Sequence, residues 1–426
     1  MSTEMRVCPT NTTSKTVCFV TGAWDGWADF IEGRSSGPGG TPSSWIPWLH
    51  YKQSGYEVIV IMIGRFKKRS EFDFRGCRMF IIPWREPVSY LGINLTNFFA
   101  PFVYRRLWRE ICTICDTFRP RIVYALREYY FVFGWRIARR YDAVFVKRIF
   151  GTFLYGWWFV MRTLKTRLLC LPMFLYWWIP SDLTIITDDG TRGDQVAKLI
   201  KLDTNKVNFW KNGVFKNWKQ DDEAAKEIRE KLGVQRDDFL IISVARLDDW
   251  KRYDRAIQIM SQLMDYIPNA KLVICGDGKM RPDLEERIRR YELEDNVIMP
   301  GTIEHSEVRN YLGASDVLLL TYDTTCLCST LLEGLICGKA IVTWDVGTTS
   351  EVIKDNINGI LLDNPDPTKF VAAICKIYSD KDYRKRLEKG ALNYAMKELM
   401  SWDERCQIEL AAVERLVRSA SRPANL

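Results

Sequence analysis

The chain is 426 residues long, 47% hydrophobic and 27% charged, with a net charge of +8. That length exceeds one hydrophobic core and suits two domains, and the composition excludes a disordered chain. Twelve cysteines without regular spacing and only two histidines, His50 and His305, argue against a zinc site and for a reducing compartment with most thiols buried.

In chain order, the polar start up to Lys15 lacks the apolar core of a signal peptide. Thr16–Thr21 predicts a buried strand. A Gly/Ser/Pro-rich loop over 33–42 follows, then a helix over 43–54 with Trp45, Trp48 and Leu49 at 3/4 spacing, then a strand over 56–61. Further strands are expected at 121–126, 142–146 and 182–187, with helices at 129–140 and 192–200. The second half predicts strands at 239–244, 271–275, 297–299, 317–320 and 340–343, separated by helices at 254–264, 281–291, 307–314 and 329–337, and a last helix at 401–418. Such alternation predicts an α/β fold with parallel sheets, whose ligands sit beyond the C-terminal strand ends.

Charge is unevenly placed. From Arg105 to Arg167 there are 14 basic and 4 acidic residues, and eleven of the 16 tryptophans lie in the first 178 residues. A basic, Trp-rich region of this kind suits an anionic membrane surface. The longest apolar run, 168–180, falls short of the roughly 20 residues needed to span a bilayer. A nucleic-acid partner is not expected, because no binding module is recognisable.

Arg246 and Lys251 follow the strand at 239–244 in Ala-Arg-Leu-Asp-Asp-Trp-Lys, where two cations suit a diphosphate. Ser329 or Thr330 would cap the helix after Cys328, and the free amides of that helix start would attract phosphate oxygens. Glu333, about one turn in, could reach a ribose. Gly39 and Gly40 would let the backbone approach a phosphate or sugar. The spacing is not G-x-G-x-x-G, so a nicotinamide cofactor is not expected, and the P-loop pattern is absent. Arg127, Glu128 and Arg148, at strand ends, are candidates to meet an acceptor.

Several segments stand together in a specific order: Trp210-Lys211-Asn212-Gly213-Val214, Val244-Ala245-Arg246-Leu247 with Lys251, Val273 to Gly278, Val297 to Gly301, Leu331 to Gly334, Cys337 to Val342, and Glu351 to Gly359. In that order the second half, over 205–410, resembles retaining GT-B glycosyltransferases of the family 4 type. Residues 16–65 match the family's first β–α–β unit, and 66–200 match in outline.

The resemblance implies two Rossmann-like doubly wound domains facing a central cleft. An acceptor domain would span 1–205 and a nucleotide-sugar domain 206–400, with a helix at 401–426 packing back across both. Arg246 and Lys251 would bind the donor diphosphate and stabilise the leaving nucleoside diphosphate. Glu333 would hold the ribose, and Cys328, Ser329 and Thr330 would offer amides. Ile298 and Met299 would lie by the base. The donor would be a UDP- or GDP-sugar, with no metal, and the acceptor a glycan or lipid-linked glycan at the cytosolic membrane face. Two positions depart from the family: Thr325 stands where a second glutamate is usual, and Phe150 precedes Gly151 where many members carry histidine. A nucleotide-sugar epimerase and a degenerate nucleotide-sugar-binding protein are the alternatives.

Overall fold

The computed structural model describes residues 15–22, 26–34, 38, 42–84, 105–161, 163–218, 221–324 and 327–420. Gly39, Gly40 and Thr325 lie outside them.

The first sheet has eight strands: β1 (Thr16–Gly22), β2 (Glu57–Gly64), β3 (Ser70–Phe74), β4 (Cys77–Pro83), β5 (Ile122–Leu126), β6 (Val144–Ile149), β7 (Leu183–Thr187) and β8 (Val207–Trp210). They lie in the order β3-β4-β2-β1-β5-β6-β7-β8. The second has six: β9 (Phe239–Val244), β10 (Ala270–Cys275), β11 (Val297–Gly301), β12 (Val317–Leu319), β13 (Ala340–Trp344) and β14 (Ile360–Leu362), in the order β11-β10-β9-β12-β13-β14. Apart from the edge strand β3 and the added β8, both sheets follow the doubly wound order 3-2-1-4-5-6. The central strands are apolar on both faces because helices cover both sides. β1, β5 and β9 are buried along their whole length.

Two features differ from the expected alternation. β3 runs antiparallel to β4. They are joined by Arg75-Gly76, both at positive φ, the two-residue turn whose twist matches that of the strands. Also, β8 completes the first sheet, pairing Thr184 with Val207 and Thr187 with Trp210. The expected boundary at 205 therefore falls just ahead of the sheet's last strand.

Many tryptophans of the first half are core residues. Trp27, Trp48 and Trp177 are fully buried. Trp108, Trp135 and Trp158 lie half-buried beneath the guanidinium groups of Arg136, Arg139 and Arg167. Among the described residues all ten cysteines are free thiols, and most are buried.

The helix Trp402–Ala420 packs on the helix Ile46–Gln53 and on β6, so it returns from the second sheet to the first. The two crossings between the sheets run side by side. Val214 pairs with Ser401, and the Val214 amide donates to the Met400 carbonyl at 2.9 Å. Gly213 lies against the Trp402 backbone, where a Cβ would come within 2.7 Å of the Trp402 Cα.

Candidate nucleotide-sugar site

Doubly wound sheets bind ligands where the strand order reverses. In the second sheet that point lies between β9 and β12, which pair directly. The loop after β9 carries Arg246 and Lys251, and the loop after β12 leads into the helix Ser329–Ile336.

Backbone contacts hold the first loop. The Ala245 amide donates to the Cys275 carbonyl at 3.1 Å, and the Leu247 amide to the Asp277 carbonyl at 3.0 Å. At Gly276 a Cβ would sit 1.9 Å from the Ala245 carbonyl oxygen, so only glycine permits this approach. Arg252 and Arg255, which continue the charge of this loop, are tied to Asp323 at 2.8 and 3.0 Å. They brace the β9 loop against the β12 loop.

Arg246 and Lys251 differ from that pair. The Arg246 side chain is 62% exposed, with Asp248 at 3.2 Å. Lys251 is 5% exposed. Its ammonium lies 3.7 Å from the Tyr322 ring centre and 4.1 Å from that of Trp250, and among the described residues it has no hydrogen-bond or ion-pair partner. Burial pushes its pKa down to about 8, opposed by Cys328, with Arg246 adding like-charge repulsion. A buried cation held in this way gains most from an incoming anion.

The helix Ser329–Ile336 begins on Cys328, with no side-chain cap. The expected capping by Ser329 or Thr330 does not occur. Thr330 turns its hydroxyl to the Val244 carbonyl at 2.8 Å, which ties the helix start to the end of β9. The Ser329 hydroxyl is buried without a partner. The Leu331 amide already donates to the Cys328 carbonyl at 3.1 Å, so what the uncapped start can offer an anion is the amides ahead of it. Gly334 lets the helix press onto β12, since a Cβ there would meet the Leu318 side chain at 2.3 Å.

Glu333 is buried and accepts or shares a hydrogen bond with His305 Nε2 at 2.8 Å. The His305 ring lies beside Phe215 and Trp218, with centroids at 5.7 and 5.5 Å. From sequence, His305 reads as a loop or helix-start residue, because the 28 positions that separate the partners hide the pairing. The Ile298 and Met299 side chains turn to opposite faces of the sheet. Ile298 joins the core that holds Leu331, and Met299 the core on the other face of the sheet.

The first sheet contributes the Asp188–Asp189 loop. The Leu327 amide donates to the Asp189 carbonyl at 3.1 Å, which joins the strand-end loops of the two sheets. Burial pushes the Asp189 carboxyl up to about 6, opposed by hydrogen bonds from Thr191. Gly151 explains why no larger residue follows Phe150: a Cβ there would lie 2.1 Å from an Asp189 carboxylate oxygen.

The acceptor candidates are placed differently from expectation. Arg148 is 2% exposed and ion-paired with Glu409 at 2.5 Å, and Glu409 also pairs with Arg405 at 2.9 Å. Glu128 is buried and takes a hydrogen bond from the Trp177 indole at 3.3 Å, and burial raises its pKa. Both are turned into the fold. Arg127 is exposed at a positive φ of 73°, with its amide bonded to the Arg148 carbonyl.

Residues 224–394 match the family model described as "Glycosyl transferases group 1". A phosphatidylinositol N-acetylglucosaminyltransferase component from Arabidopsis thaliana is 29% identical over 186 residues, 44% of this chain and 40% of that protein. The alpha-monoglucosyldiacylglycerol synthase of Streptococcus pneumoniae is 29% identical over 139 residues, 33% of this chain and 32% of that protein. The chain thus aligns with less than half the length of these relatives. Among solved structures, Anabaena Alr3699/HepE in complex with UDP-glucose superposes with a TM-score of 0.69 at 16% identity, covering 93% of this chain and 99% of that one. Over residues 224–394, then, the chain carries a glycosyl transferases group 1 domain, set within a GT-B fold.

Proposed function

We propose that the protein is a retaining glycosyltransferase that moves a sugar from a nucleoside-diphosphate sugar to a lipid-linked acceptor at the cytosolic face of a membrane. The observation that carries this is the buried Lys251 ammonium, unpaired among the described residues, beside Arg246 and the uncapped start of the helix Ser329–Ile336. Those groups converge on the β9/β12 switch point, where a diphosphate would meet two cations and the uncapped helix start.

In this reading Arg246 and Lys251 neutralise the charge that builds on the diphosphate as the glycosidic C–O bond breaks. The acceptor hydroxyl attacks the anomeric carbon on the same face, and its proton passes to a departing phosphate oxygen. The products are a glycoside and a nucleoside diphosphate. The side chains at the site supply positive charge in place of a metal. Glu333, held by His305, binds the ribose hydroxyls. The two relatives are named for phosphatidylinositol and monoglucosyldiacylglycerol chemistry, which supports a lipid acceptor.

The test is to incubate the protein with UDP- and GDP-sugars, with and without a membrane lipid extract, and to measure nucleoside diphosphate release. Release that requires the extract supports a transferase. Nucleotide binding without release from any donor would instead favour a binding protein.

A further inference from the structure

The helix Leu164–Trp178 is apolar on nearly every side, a pattern normal only for a helix buried all round. Yet Leu164, Leu168, Leu171, Leu175 and Trp178 are between 43% and 76% exposed. Their spacing of four, three, four and three residues puts them on one stripe. Met161 and Phe153, just ahead of the helix, are exposed as well. Isolated exposed leucines need no explanation, but a continuous stripe does.

The opposite face of the helix is firmly held. Cys170, Phe174 and Trp177 are buried in the first sheet's core. The Lys147 ammonium, from within β6, donates to the carbonyls of Trp177 at 2.6 Å and Ile179 at 2.8 Å. The stripe is therefore a fixed feature of the domain.

Charge identifies what covers it. Residues 143–181 contain no aspartate or glutamate. Lys165 and Arg167 stand exposed among the stripe residues. A second copy packed on this face would bring like charges together, whereas an anionic lipid surface complements them. The helix is 15 residues long, about 22 Å at 1.5 Å per residue, so it cannot cross a hydrocarbon core of roughly 30 Å. No helix among the described residues is long and apolar enough to do so.

We infer that the helix Leu164–Trp178 lies in the plane of an anionic bilayer, with its leucine stripe among the acyl chains and Lys165 and Arg167 at the headgroups. This deepens the membrane part of the proposed function and rests on that reading. It also assigns a role to geometry: the helix is pinned to Lys147 in β6 and to Glu128 just after β5, so docking would hold that side of the cleft beside the lipid surface.

The test is co-flotation of the full chain with vesicles of phosphatidylcholine alone or mixed with phosphatidylglycerol. The wild-type protein floats with the mixed vesicles and much less with the neutral ones. The triple variant Leu168→Ser, Leu171→Ser, Leu175→Ser loses at least tenfold in vesicle affinity with unchanged melting temperature and nucleotide binding. Lys165→Glu alone weakens binding several-fold, which guards against misfolding of the triple variant. Ile357→Ser, at an exposed apolar residue of the second half, leaves binding unchanged. The inference is overturned if the wild type fails to float with mixed vesicles or if the triple variant floats as well as the wild type. It is also overturned if the wild type is a dimer that the triple change makes monomeric. Flotation needs no turnover, so a protein that floats but releases no nucleoside diphosphate would fail only as a transferase.

Discussion

Two pairs of cations sit near strand ends, one in each sheet, and they are used in opposite ways. In the first sheet, Lys147 and Arg148 are buried and held by the fold, Lys147 by two carbonyls and Arg148 by Glu409. In the second, Lys251 is equally buried but faces two aromatic rings, with Arg246 more than half exposed beside it. Burial pushes the pKa of both lysines down to about 8. The difference lies in what each charge meets. One pair is tied into the fold and braces it, and in the proposed reading the other meets the donor diphosphate, with Arg246 beside Asp248 until then. A shifted pKa alone would not separate the brace from the binding site.

The largest effect should come from breaking the brace. Arg148→Met leaves Glu409 with Arg405 as its one remaining ion-pair partner among the described residues, and we expect a loss of about 3–5 kcal/mol in denaturant unfolding. Lys251→Met should instead lower turnover roughly a hundredfold, measured as nucleoside diphosphate release, and Arg246→Ala more than tenfold. Unchanged rates would remove the two residues from the site. The same Lys251→Met change should raise the melting temperature at neutral pH. A lysine whose folded pKa is depressed holds fewer protons folded than unfolded between pH 8 and its ordinary value near 10.5. The wild type should therefore gain stability as pH rises through that window, and the variant should lose that gain. Donor affinity should run the other way, falling as pH rises through about 8 and Lys251 loses its charge. Titration of UDP binding against pH reads this directly. The smallest effect should be at His305→Ala, which frees Glu333: a few-fold weaker nucleotide binding with little change in turnover of bound donor.

The second half was the more legible part in sequence, for physical reasons. Its strands are short apolar runs that end on Gly276, Gly301 or a charged loop, and its helices are amphipathic. The Arg246–Lys251 loop was visible because two cations directly follow a buried strand. The first half hid more. The hairpin at 70–83 turns on Arg75-Gly76, a less obvious signal than Asn-Gly. The helix Leu164–Trp178 lacks polar alternation, because the face turned to solvent is as apolar as the one turned to the core. The pairs that decide the roles of individual residues were out of reach, since Arg148 and Glu409 are 261 positions apart. A strand-end arginine reads the same whether it meets a substrate or a distant glutamate.

The return of the helix Trp402–Ala420 to the first sheet has a consequence during synthesis. Arg148 in β6 is made early, but its counter-ion Glu409 is made after the whole second sheet. Until then the first domain carries an uncompensated charge in its core and lacks the cover that Val413 supplies. The usual rule that an N-terminal domain finishes folding first, as it leaves the ribosome, would not hold here. A nascent chain stalled before residue 402 should stay protease-sensitive in its first half, and the two domains should become resistant together once the last helix is released.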